Sequence, residues 1–324
     1  MDGAVTIGDR DAQQASFSMP LPTFSAYCNA RRLWGDRAHL SLVLIVTLSA
    51  VGRCHQACLP LERLGFAVYL LGVAGCLAWA HLQPCSYVRW RELSQSLVRI
   101  AALSVQVSGA CVVIAVFRGA EPPWQRGTGP REHGMFLLSL LLATNVVGLV
   151  QFSLASRLRL PVHTVTQAAA LAVTLSSIPS LCSCSTMQLA PSRRVVHTLH
   201  SAIDLLSCRW AFSGFAKAAA EPPSPVAECW AVVAAVQVLV GFVLPEVLLA
   251  VWECRDFHHF KERTGGRYQR SFCAWLYANF TDQPQEQGWV RWSKLLLAGL
   301  VLFSTVWDIL LNLAAGMGAK SGQL

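Results

Sequence analysis

The sequence predicts an all-α fold: a polytopic helical transmembrane bundle of about seven spanning helices, with eight as the alternative count, and one interfacial amphipathic helix. Three observations carry that expectation. Apolar runs of roughly the twenty residues that a helix needs to cross a bilayer recur along the chain. Charge is scarce, at 14% of residues against 54% hydrophobic, with a mean hydropathy of +0.44, too little to cover a water-exposed surface of this length. Tryptophans stand at the edges of several runs, as Trp230 and Trp252 do around one and Trp289 and Trp292 before another, the placement of an interfacial belt.

Residues 1–37 read as a mobile polar arm. Asp2, Asp9, Asp11, Pro20 and Pro22 leave no apolar leader, so no cleaved signal peptide is expected, and Arg31, Arg32 and Arg37 close the arm. A single membrane domain over 38–317 follows. Its first span is 38–57, shortened by Arg53 and His55; the second is 64–82, ending with Trp79 and His81. The third, 97–117, carries Arg99 close enough to one end to snorkel. Pro122, Pro123 and Pro130 mark a loop. The fourth span, 135–154, has no charged residue. Arg157, Arg159 and Pro161 make a tight connection to the fifth, 162–182. An amphipathic stretch occupies 195–216 and is either interfacial or an eighth span. The sixth span is 227–252, a basic aromatic loop covers 255–292, and the seventh span is 293–315. Residues 318–324 form a short tail.

The formal net charge is +8. No recognition motif accompanies it, so nucleic acid is not expected as a partner. Basic residues beside apolar segments instead set orientation and meet the bilayer, including anionic headgroups. The arginines and lysines of the 255–292 loop place that loop and the N-terminus in the cytoplasm. The sequon Asn279-Phe280-Thr281 points the other way and is outweighed by the charge. Twelve cysteines are scattered without zinc spacing. They read mainly as small hydrophobes and leave the redox compartment open.

Three constellations carry chemistry. Glu246 directly follows Pro245, and Asp308 lies inside the last span with Ser304 and Asn312 one turn to either side. Carboxylates at that depth are costly and face a polar interior. A proline beside an acid also frees backbone carbonyls for ions. With Asn145 and Gln237 on other turns, these residues form a candidate path for a small ion, proton or solute; the bland alternative is helix-to-helix hydrogen bonding. On the 195–216 stretch, His197, His200, Asp204 and Cys208 fall within about 80° of arc, a donor set suited to a first-row metal, against the alternative of an ordinary polar face. Arg263, Arg267 and Arg270, flanking aromatic residues of the basic loop, are candidate lipid-headgroup contacts.

No GxSxG, HExxH, P-loop or GxGxxG motif is present, so no catalytic residue is named and no cofactor is expected. An ion- or proton-coupled transporter or channel-like protein is favoured. The alternatives are a receptor or membrane-organising protein acting through the basic loop, and a membrane-embedded metalloenzyme.

Overall fold

The computed structural model describes residues 24–54, 60–108, 130–184, 187–207, 224–264, 299 and 301–314. Among these residues every regular element is a helix. Helix α1 runs over Phe24–Cys54, so it begins inside the stretch expected to be a mobile arm. Phe24, Tyr27 and Cys28 share a face by their i, i+3, i+4 spacing, and that face is buried against Phe257 and Phe260. The Phe24 and Phe257 rings meet edge-on at 5.3 Å.

Helices α2 (Pro60–Leu82) and α3 (Pro84–Ser108) form a tight hairpin. Each begins with proline, whose missing N–H is harmless in a first turn. Gln83 between them donates to Trp79 O and accepts from Tyr87 N, both at 2.9 Å. Leu40 and Val43 of α1, Tyr69 and Val73 of α2, and Val98 and Ala102 of α3 share one apolar cluster. The expected third span thus starts its helix well before residue 97, and 109–117 lie outside the described residues.

The charge-free fourth span is not one straight helix. It divides into α4 (Pro130–Ala143) and α5 (Val146–Ala155), bent by 68°. Asn145 at the break has φ 57°, a left-handed conformation that asparagine tolerates better than most residues. The fifth span is α6 (Leu160–Leu175) and α7 (Ile178–Ser183), with proline in the first turn of each. The amphipathic stretch is helix α8 (Ala190–Leu206), and 208–216 lie outside the described residues.

The sixth span is the longest element, a continuous helix of 39 residues from Pro225 to Arg263. It consists of α9 (Pro225–Val236), a π-helical segment (Gln237–Val243) and α10 (Leu244–Arg263). Residues 255–263, expected as the start of the basic loop, are therefore helical. Pro245 explains the π segment. Its ring cannot donate to the carbonyl of Gly241 four residues back and crowds it, and the ladder widens there so that Leu244 N–H reaches Leu239 O. Helix α11 (Val301–Ala314) joins through Trp307, Leu310 and Ala314, packed with Val195, Val196 and Trp230.

Among the described residues three helical stretches are long and apolar enough to cross a membrane: Glu62–Leu82, Leu160–Ser183 and Pro225–Arg263. The bent α4–α5 pair would make a fourth, fewer than the seven expected. Charge accounts for two of the expected spans: Arg31, Arg32, Asp36 and Arg37 occupy the first half of α1, and Arg89, Arg91, Glu92 and Arg99 lie on α3. Of the expected seventh span only residues 299 and 301–314 are described.

Polarity is distributed inside out. Ile45, Leu71, Val165 and Val251 are exposed, while Arg91, Arg99, His163, Gln167, Gln237 and Glu253 are buried. Side-chain contacts also define two ends. At one, the start of α1, the α2–α3 turn, the 156–159 connection and the end of α10 meet: Arg31 pairs with Asp256, Arg32 with Glu253, Arg91 with Asp36, and Arg159 with Glu92. At the other, a disulfide joins Cys182 of α7 to Cys229 of α9.

Candidate functional site

Between these ends lies a polar centre built from α1, α3, α5, α6 and α10. Arg99 is its deepest charge, fully buried and eight residues, or about 12 Å of helix, inward of Arg91. Its Nη1 donates to Gln167 Oε1 at 3.1 Å, and its Nη2 donates to Phe152 O at 2.8 Å and Ser156 O at 3.1 Å. The acceptors are carbonyls at the end of α5, the Ser156 hydroxyl at 3.2 Å and one amide, so the guanidinium is solvated by dipoles. Its charge is also felt at His39, His163 and Glu246.

Glu246 occupies the first turn of α10, seven residues, or about 10 Å, inward of Glu253. Its Oε1 lies 2.8 Å from His163 Nδ1, and its Oε2 accepts from Thr164 Oγ1 at 3.0 Å. His163 is fully buried whereas Thr164 is exposed. Glu246 therefore stands at the boundary, one oxygen toward the interior and the other toward the surface. His39, buried on α1, sets its ring edge-on to Phe152 at 5.5 Å.

Several polar atoms here have no protein partner among the described residues: His39 Nδ1 and Nε2, Arg99 Nε and His163 Nε2. Buried polar atoms are nearly always satisfied by protein or by water, so these four atoms on α1, α3 and α6 are places where water or a small polar solute would be held. A carboxylate, two imidazoles and a fixed positive charge can hold and pass a proton.

The other expected transport residues play different parts. Gln237 opens the π segment, and its Nε2 donates to Thr144 O at 2.7 Å, across the break between α4 and α5. Asn145 contributes its backbone conformation to that break. Gln167 serves the carbonyl that Pro245 leaves unpaired, donating to Gly241 O at 2.5 Å. On α11, Ser304 is buried, Asp308 half-buried and Asn312 exposed, with Asn312 Nδ2 donating to Asp308 O at 2.9 Å. That stripe runs outward, on a helix that enters the bundle beside α8 and α9.

The metal expectation requires correction. His197 Nδ1 lies 3.2 Å from Glu228 Oε1, the His200 ring packs on Trp307 at 5.3 Å, and Asp204 Oδ1 accepts from Trp307 Nε1 at 3.2 Å. The polar face of α8 thus docks onto α9 and α11. Cys208 lies outside the described residues, and among those described no group of three or more His, Cys, Asp or Glu is placed to hold a metal ion. Of the lipid candidates, Arg263 is exposed at the end of α10; Arg267 and Arg270 lie outside the described residues.

Sequence reasoning singled out Glu246 but not His39, His163 or Gln167. His163 and Gln167 lie four residues apart on α6, one helical turn in an otherwise apolar span, and that spacing was the available signal. Compared with protein-family models, curated proteins and solved structures, the chain shows no match.

Proposed function

We propose that this chain is a multi-pass integral membrane protein that carries protons or a small ion through its polar centre, with Glu246 and His163 as the exchanging pair. The observation that carries this reading is the 2.8 Å contact between Glu246 and a fully buried His163, within a bundle whose outer surface is apolar. A carboxylate and an imidazole in hydrogen-bond contact trade one proton with little movement. Arg99, fully buried on α3, supplies a guanidinium charge beside this pair. In this reading α1, α3 and α11 complete the set of about seven spans, their charges lying at an end or facing inward.

The test is proton flux in liposomes containing the purified protein, followed with an entrapped pH-sensitive dye. Glu246→Gln keeps size and hydrogen bonding but removes the titration, and it is expected to abolish flux. Asp308→Asn, on the outward-running stripe of α11, is expected to leave flux in place. Flux unchanged in a folded Glu246→Gln protein overturns the proposal.

A further inference from the structure

The arginine-rich end holds a pocket of about 320 Å³ that the transport reading does not use. Arg31, Arg32, Arg91 and Arg157 line it, together with Asp36 and Asp256. Most of these charges are spoken for. Arg91 holds Asp36 through Nε to Oδ2 at 2.5 Å and Nη2 to Oδ1 at 2.6 Å. Arg31 Nη1 donates to Asp256 Oδ1 at 3.0 Å, and Arg32 reaches Glu253 and Asp256. Arg157 is different. Its guanidinium lies 4.1 Å above the Trp252 ring, its Nε makes only a 3.4 Å contact with Leu154 O, and no carboxylate among the described residues is in ion-pair reach of it. Four guanidinium groups therefore line the pocket with Asp36 and Asp256, and with Glu253 on Arg32 counted, one guanidinium, that of Arg157, is in excess.

Two further features give the pocket a direction. Its walls are prebuilt, since Arg91 is fully buried and the Arg32 side chain is only 8% exposed, so little ordering remains on binding. Beside it Trp34 is 76% exposed, an aromatic at the level where polar end meets apolar flank. Burial, and then the like charge of Arg32, hold the Arg157 guanidinium below its ordinary range against the opposing charge of Asp256.

From this geometry we infer that the pocket binds a phosphate-bearing anion, with Arg157 as the principal contact and Arg31 as its neighbour across the mouth. Guanidinium groups suit this ligand because their paired N–H donors match phosphate oxygens. The phosphate can come from a lipid headgroup or from solution, and the test separates the two sources. The purified full-length protein in neutral detergent is titrated with inorganic phosphate, and separately with mixed micelles containing phosphatidic acid, following the thermal unfolding midpoint. Saturable stabilisation in either titration is expected, with the lipid arm alone responding if the headgroup is the natural source. Arg157→Gln is expected to weaken the response at least about tenfold, Arg157→Lys to restore part of it, and Arg194→Gln, at an exposed position on α8, to leave it unchanged. Because Arg157 also stacks on Trp252, each variant's response is read against its own unliganded midpoint. Absence of saturable binding in both arms, or equal binding by a folded Arg157→Gln protein, overturns the inference. Proton flux is read separately, so failure here leaves the transport proposal standing.

Discussion

Asp36 illustrates how residues that look like surface charge in the sequence become structural. Its carboxylate accepts two N–H groups of Arg91 and the Tyr87 hydroxyl at 3.1 Å, while Gln95 Nε2 donates to that hydroxyl at 2.6 Å. Burial, reinforced by Asp36, pushes the Tyr87 phenol above its ordinary range, so it stays a neutral donor. The network ties α1 to α3, and all four side chains are buried. Removing one partner of a buried ion pair leaves the other charged and unsolvated, a loss of about 3–5 kcal/mol. Asp36→Asn is therefore expected to lower unfolding stability by that order in chemical denaturation, while Asp36→Leu combined with Arg91→Met recovers much of it. A single variant as stable as the parent would show that Arg91 finds other acceptors. Cys28, by contrast, behaves as the small hydrophobe the sequence suggests: burial pushes its thiol up to about 12 against the opposing charge of Arg32.

At the scale of elements, the π segment and the α4–α5 break are one device. Gly241, in the π segment, lets Leu149 of α5 approach so closely that a Cβ at 241 would sit 2.7 Å from Leu149 Cδ1. Leu149 is itself fully buried and has no space to retreat. Gly241→Val is expected to destabilise by about 1–3 kcal/mol through overpacking, and Leu149→Ala in the same chain should relieve part of that in thermal unfolding. Equal stability of Gly241→Val and parent would mean that α5 and the π segment are free to part. Little of this device was legible in sequence. Pro245 beside Glu246 flagged an interrupted ladder, but the partner of the freed carbonyl, Gln167, lies 74 positions away along the chain, and no local pattern encodes such a pairing. The apolar periodicity did locate α2, α6 and α9, because span length and hydropathy are local properties. It failed at α1, where three apolar side chains in the first turns bind a helix end that charge counting assigns to solvent. It did locate α8, whose Val195, Leu199 and Ile203 pack into the core, while the His and Asp row on its other face, read as a metal set or an ordinary polar face, meets Glu228 and Trp307.

At the scale of the whole molecule, the two ends differ in the chemistry that tells the sides of a membrane apart. One end gathers Arg31, Arg32, Arg37, Arg91, Arg157 and Arg159; Arg37, for example, donates through Nη2 to Ala80 O at 2.7 Å. The other carries the Cys182–Cys229 disulfide. Arginine favours the cytoplasmic side, and disulfides persist where the surroundings are oxidising. The two criteria are independent, and they agree on one orientation. We therefore propose that the start of α1 and the end of α10 face the cytoplasm and that the α7–α9 junction faces the lumen or the outside of the cell. In intact cells, an epitope tag at Met1 is expected to be hidden from antibody until the membrane is permeabilised, and Asn279 to carry no glycan. Blocking free thiols, then reducing and mass-tagging the protein, is expected to label Cys182 and Cys229 only after reduction, and Cys182→Ser to expose Cys229 to the first reagent. A glycan on Asn279, or a tag at Met1 accessible from outside, would invert the molecule and set its arginine pocket on the oxidising side.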